Sequence, residues 1–423
     1  MNGTSRQRDT HIYGSPMRPI TFVLVGLAFV GAACATATDG TSTTTTPSTT
    51  TVAPAPAEDR LAILRADTTV VVLDRDLQEI ASIAPPEGSS YRQPIWLDTE
   101  TLLFSEVMTD GTGALIAADA ATGTVAWRTE RSSSPFYFSP SPDGSATTSL
   151  RNNTAEGGLI AELVTRNGEV SPLSDRSPFY SAWSPDGSSL STHTGQRTLS
   201  VMEGEATEVI SGSTGSFRAP SWTSSGLFAL RTTDQSQTLA VWDGADFTDL
   251  ARISGTAQFA AGGSRLAIQS EAEDDPTGIA VAFHAQVIPR IPAGRLIVFD
   301  TASASFEEVS PRLSPFFQWD PAGDRLLYAA FDEGPSLGLT WQVWENGTSE
   351  AFLPFSPQSG WFSEVVPFFD QYAQSLSLWS ASGDAFAYPT AGDAGPIVVV
   401  QPIGASPVNE IEDAIWVSWR PAS

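Results

Sequence analysis

The stretch Phe179-Tyr180-Ser181-Ala182-Trp183-Ser184-Pro185-Asp186-Gly187-Ser188-Ser189-Leu190 returns in variant form along most of the chain. Each copy reads as strand, turn, strand. Pro185 presets φ for the second position of a type I turn, Asp186 suits the third, and Gly187 supplies the freedom needed to leave it. Aligned on Trp183, the copies fall at Trp96, Pro140, Trp183, Trp222, Phe259, Trp319, Trp379 and Trp419, with separations of 44, 43, 39, 37, 60, 60 and 40 residues. A period near 40 residues with one aromatic-and-turn signature per unit predicts a β-propeller built from one four-stranded blade per copy. The expected fold class is all-β, a single propeller of eight blades. The count is seven if the weak copy at Phe259, with Gly262-Gly263 but neither Trp nor Pro, is no motif.

The two ends of the repeat region complement each other. The chain closes on Trp419-Arg420-Pro421-Ala422-Ser423, a first strand without a second. Asp59-Arg60-Leu61-Ala62-Ile63 has the register of the second strands Asp324-Arg325-Leu326-Leu327-Tyr328 and Ser264-Arg265-Leu266-Ala267-Ile268 but lacks a first. Pairing of the two ends would close the ring and remove its open sheet edges.

Composition agrees. Gly, Pro, Thr and Val are abundant and no long run has helical amphipathic periodicity, so almost no helix is expected. The chain of 423 residues carries 48 acidic and 22 basic residues, every basic one Arg, for a net charge of −26. Such a surface repels nucleic acid and anionic lipid and favours solubility or cationic partners.

Met17-Arg18 followed by the apolar run from Ile20 to Val30 reads as the basic and hydrophobic parts of a secretory signal, with Met17 an alternative start. The run is short for a membrane span. It ends Val30-Gly31-Ala32-Ala33-Cys34, which resembles a bacterial lipoprotein box, although Gly31 stands where that family usually has Leu. Cys34 is the only cysteine, so intramolecular disulfides are excluded, and the resemblance implies that its sulfur carries a lipid anchor. Residues 35–58 are Thr, Ser, Ala and Pro and cannot bury a core. The expected domains are a signal peptide over 1–33, a lipidated cysteine and disordered tether over 34–58, and the propeller over 59–423.

Two gaps exceed the repeat period, and long insertions in a compact array are where function tends to sit. One contains Glu271-Ala272-Glu273-Asp274-Asp275-Pro276-Thr277-Gly278. Its carboxylates are of the type that holds Ca²⁺, but the spaced pattern of an EF-hand loop is absent and a solvated acidic loop is the simpler reading. Ca²⁺ is thus the one cofactor candidate, with no metal site assigned. The other gap contains Gly360-Trp361-Phe362 and Pro367-Phe368-Phe369-Asp370-Gln371-Tyr372. A second recurrent feature is Ser-Pro-Phe-aromatic, at 134–137, 177–180 and 314–317. These copies should precede the innermost strands, near the mouth of the central channel. The candidate binding residues are therefore Phe136, Phe179, Phe316, Phe368, Asp370 and Tyr372, offering aromatic surface with carboxylate. The competing reading is that the aromatics pack between blades.

Trp183 to Gly187 and its looser variants resemble the WD40-like (PD40) repeats of TolB-type propellers, over roughly residues 60 to 423. The resemblance implies the fold and says little about activity. The single stretch Ala117-Ala118-Asp119-Ala120-Ala121-Thr122-Gly123-Thr124-Val125-Ala126-Trp127 also looks like the repeat of quinoprotein-like eight-bladed propellers.

No serine nucleophile elbow, Walker loop or dinucleotide fingerprint is present. Only His193 and His284 remain outside the leader, too few for a His-rich metal site, and His193 reads as a surface or hairpin residue. No catalytic residue is assigned. The function expected is non-catalytic binding or scaffolding outside the cytoplasm, by a monomer anchored to the membrane through lipid only. Its partner would be an envelope protein, a peptide or a carbohydrate, and not nucleic acid. A carbohydrate-active enzyme using paired carboxylates is the alternative, favoured if two carboxylates meet aromatics in one deep pocket.

Overall fold

The computed structural model describes residues 59–422 apart from 196, 205, 212–217, 234–235, 254, 271–289, 292–293, 332–337 and 405–407. Cys34, the tether, the acidic stretch 271–278 and His284 lie outside the described residues. Residues 54–423 form one compact unit. No helix among the described residues is long and apolar enough to cross a membrane.

Eight antiparallel sheets follow one another around a ring, each beginning at the central channel and running outward. In chain order they are blade 1 (89–131), blade 2 (135–174), blade 3 (179–211), blade 4 (221–253), blade 5 (257–310), blade 6 (317–355), blade 7 (379–412) and blade 8, which joins the two ends. The innermost strand of blade 7 is reduced to a bridge between Trp379 and Phe386. Blade 4 gains a two-residue parallel addition, Arg290–Ile291, at its outer edge. Blade 8 is closed as its sequence implies. Ala414–Trp419 is the inner strand and pairs with Leu61–Arg65, Leu61 lying opposite Trp419 and Ile63 opposite Val417.

The turn inside each blade has the bonds that its residues prescribe. The Gly187 amide donates to the Ser184 carbonyl at 2.9 Å, and Asp186 Oδ1 accepts from the Ser188 amide and from both flanking serine hydroxyls. The same pattern recurs at Ser141, Asp143 and Gly144. Gly187 sits at φ +73°, where an added Cβ would also lie 2.8 Å from the Asp143 carboxylate.

The repeat tryptophans join blade to blade. The Nε1–H groups of Trp183, Trp222, Trp319, Trp379 and Trp96 donate to the carbonyls of Ser139, Ala182, Ala260, Gln318 and Ser418, each on the inner strand of the preceding blade. This pattern corrects the fifth motif position. Leu190, Leu227 and Leu326 face Trp183, Trp222 and Trp319 across their hairpins, and the residue facing Leu266 is Ala261, not Phe259. Positions 259 and 261 share a face of the strand, so an aromatic two residues early mimics the motif. Phe259 instead fills the core beneath, 1 % exposed.

Among the described residues, helix is confined to the insertion between blades 6 and 7. It forms α1 (Ser359–Glu364), a single 3₁₀ turn (Val366–Phe368) and α2 (Phe369–Ser375). Phe369 packs on Phe317, with ring centroids 4.4 Å apart, and Trp361 lies between Phe316 and Trp341. The insertion is a plug seated in the channel mouth.

Candidate functional site

The plug is bonded to inner strands on nearly every side of the channel. Tyr137 Oη donates to the Gln371 carbonyl at 3.1 Å, and Gln371 Nε2 to the Phe179 carbonyl at 3.2 Å. The Ala219 amide donates to Asp370 Oδ2 at 3.1 Å, and Gln374 Nε2 to the Pro220 carbonyl at 3.1 Å. Gln318 Nε2 donates to the carbonyls of Ala373 and Leu376, while its Oε1 accepts from the Leu378 amide. On blade 1, Gln93 Nε2 donates to Tyr372 Oη at 3.0 Å, and Tyr372 Oη donates in turn to the Phe136 carbonyl. Gln93 reaches the plug from a bulge, in the left-handed conformation at φ +52°, at a backbone cost of about 1 kcal/mol.

Burial governs the titratable groups here. Asp370 is 0 % exposed, and loss of solvent raises its pKa against the opposing influence of the Ala219 amide and the nearby Arg218 charge. Its Oδ1 has no hydrogen-bond partner. Burial pushes the Tyr137 phenol up to about 12 and raises Tyr372 and Tyr180 as well. His193 corrects its expected surface position. It lies within the second strand of blade 3, buried, with Nδ1 3.0 Å from the Arg218 carbonyl and its pKa lowered by burial.

Where the plug meets blades 1 to 3 it leaves a cleft of about 690 Å³. The Ser-Pro-Phe segments of blades 2 and 3 form one wall, and Phe368 and Tyr372 the other. Four of the six candidate residues, Phe136, Phe179, Phe368 and Tyr372, line this one space. Phe136 and Phe368 turn exposed ring surface into it, 38 % and 49 % accessible, whereas Phe179 and Tyr372 are nearly covered. The other two candidates are elsewhere. Phe316 is wholly buried against Trp341, Trp361 and Phe369, and Asp370, on α2 of the plug, is wholly buried with its carboxylate on the Ala219 amide. The aromatics thus divide between the two roles the sequence allowed, some lining a cavity and some packing as core.

Among the lining residues that sequence reasoning missed are Arg92 and Ser105, which sit opposite each other on neighbouring strands of blade 1. Neither belongs to a motif. Among the described residues Glu364 is the only carboxylate that lines the cleft. Glu106, which follows Ser105 in blade 1, is held by Arg128 at 2.7 Å, and Glu162 in blade 2 by Arg131 and Arg151 at 2.7 and 2.9 Å. Among the described residues no group of three or more His, Cys, Asp or Glu is placed to hold a metal ion. At the far mouth of the channel, a smaller hollow of about 330 Å³ lies between Trp183, Trp222 and the turn prolines Pro142 and Pro185.

No protein-family model and no curated protein sequence matches the chain. Solved structures do. A eukaryotic initiation factor superposes with a TM-score of 0.55 at 12% identity, over 86% of this chain and 98% of that one. The dihydro-heme d1 dehydrogenase NirN gives 0.52 at 14% identity, over 88% and 77%. TolB from Acinetobacter baumannii matches at 0.38 and 13% identity, over 79% and 83%. At these identities the similarity is one of fold.

Proposed function

We propose that the protein is an extracytoplasmic, lipid-anchored propeller that works as a monomeric, non-catalytic binding module, taking its ligand in the cleft between the plug and the Ser-Pro-Phe segments. One observation carries this reading: Phe136 and Phe368, from segments 232 positions apart in the chain, present exposed rings to the same cavity. Exposed aromatic rings in a concave, mostly apolar site are stacking surface for a ligand, each worth about 1 kcal/mol. An envelope protein segment, a peptide or a sugar each offers a group that stacks in this way. The paired-carboxylate enzyme is the weaker reading, because Glu364 is alone in the cleft and Asp370 is sealed below it. The anchor rests on Cys34 and its flanking small residues.

The test is titration with N-phenyl-1-naphthylamine, an uncharged aromatic probe whose fluorescence rises on leaving water. The native protein should bind one probe. The double variant Phe136→Ala/Phe368→Ala should bind about thirtyfold more weakly, as expected from two lost stacking contacts, with little change in melting because both rings are exposed. Equal binding by the two proteins would refute the cleft as the binding seat.

A further inference from the structure

Arg92 and Ser105 define the ligand class. They form a directly opposed pair across Ser89–Trp96 and Thr101–Met108, so their side chains leave the same face of the sheet with Cβ atoms about 5 Å apart. Both line the cleft. Ser105 is 0 % exposed, and its hydroxyl has no hydrogen-bond partner among the described residues, an arrangement that is costly unless something fills the site. Arg92 is exposed and makes no ion pair or hydrogen bond with any described residue. Its neighbours differ, since Arg128, Arg131 and Arg151 are each ion-paired with a glutamate. In a chain of net charge −26 an unneutralised guanidinium beside an unsatisfied hydroxyl is a feature to explain.

We infer that the cleft recognises an apolar monocarboxylate. This rests on the cleft being the binding seat. The carboxylate lies on the Arg92 guanidinium, whose planar fork matches its two oxygens, and accepts a further hydrogen bond from Ser105 Oγ. The apolar body extends between Phe136 and Phe368. Glu364, in the same cleft, repels a second negative charge and restricts the ligand to one. The carboxylate can come from a free aryl or alkyl acid or from the C-terminus of a peptide that ends in an apolar residue. The recognition chemistry is the same for both.

The experiment displaces N-phenyl-1-naphthylamine from the full-length protein with 4-phenylbutyrate and with its neutral isostere 4-phenylbutyramide. A peptide ending Gly-Gly-Phe with a free carboxylate, compared with its amidated form, separates the two sources. The acid should bind about tenfold more tightly than the amide, the size expected for one charge-assisted contact. Arg92→Gln should abolish that preference and leave amide binding unchanged, and Ser105→Ala should weaken the acid about fivefold. Arg252→Gln, which removes an exposed arginine from an outer strand, should retain the preference. Equal affinity for acid and amide, no displacement by the acid, or a preference that survives Arg92→Gln would each overturn the inference. If probe binding still depends on Phe136 and Phe368 in that case, only the carboxylate is rejected. If probe binding ignores those rings, the cleft itself is rejected as the seat.

Discussion

At the scale of residues, the ring is held by a repeated device, an indole that donates to the previous blade, and at blade 6 a glycine of that previous blade, Gly262, lies beneath it. A Cβ added there would stand 2.3 Å from Trp319 Cγ, within the ring that donates to Ala260. Gly262→Ala must therefore move Trp319, which is 6 % exposed and packed on Trp344. The expected cost is about 2 kcal/mol, typical of overpacking a close contact, read as a lower midpoint in urea with an unchanged slope. A neutral substitution would show that the indole has room to shift. The same residues explain why most of the motif was legible and one copy was not. Trp, Pro and Gly each have a specific job at the turn, so their recurrence announces the blade. At blade 5 the job falls to Ala261, which no composition rule distinguishes, and Phe259 draws the alignment two residues away.

Elements show the reverse balance. The strands could be read from their period, and the joining of the two ends from their incomplete hairpins. The plug was seen as an insertion but its structure was not. α1 and α2 have six and seven residues, Gln358 and Phe368 make no side-chain cap, and neither last turn holds a basic residue. Helices this short do not persist alone and exist through tertiary contact, so no local signal marks them. Of the three plug residues proposed from the sequence to face a ligand, Phe368 is exposed, whereas Tyr372 is nearly covered and Asp370 wholly buried. Asp370 gives the plug a pH signature. Burial raises its folded pKa above the ordinary carboxylate value near 4. Between those two values the folded state holds a proton that the unfolded chain releases, so stability falls as pH rises through the window and the penalty is complete above it. Asp370→Asn removes this dependence. Its melting temperature should match that of the native protein below about pH 4 and exceed it increasingly as pH rises through that window. A difference that is constant with pH, or of opposite slope, would show that Arg218 compensates the charge fully.

For the whole molecule, closure by Ala414–Trp419 on Leu61–Arg65 leaves the eight blades without a free inner edge and makes the channel a fixed socket. The plug fills that socket, and the cleft is what remains between plug and wall. Of the site, the sequence revealed the aromatic wall through the Ser-Pro-Phe repeats. Arg92 and Ser105 were invisible because they act as a pair only once two strands are in register. The lipid anchor proposed at Cys34 has a test of its own. Cys34→Ser should move the protein from the membrane to the soluble fraction and remove acyl mass from the mature N-terminus. Unchanged partitioning in a fractionation experiment would reject the anchor.

The most direct measurement is a crystal structure of the protein with 4-phenylbutyrate. The account predicts the phenyl ring between Phe136 and Phe368, with the carboxylate on Arg92 and within hydrogen-bonding distance of Ser105 Oγ. Density for the ligand at the far mouth between Trp183 and Trp222, with the cleft by the plug empty, would contradict it.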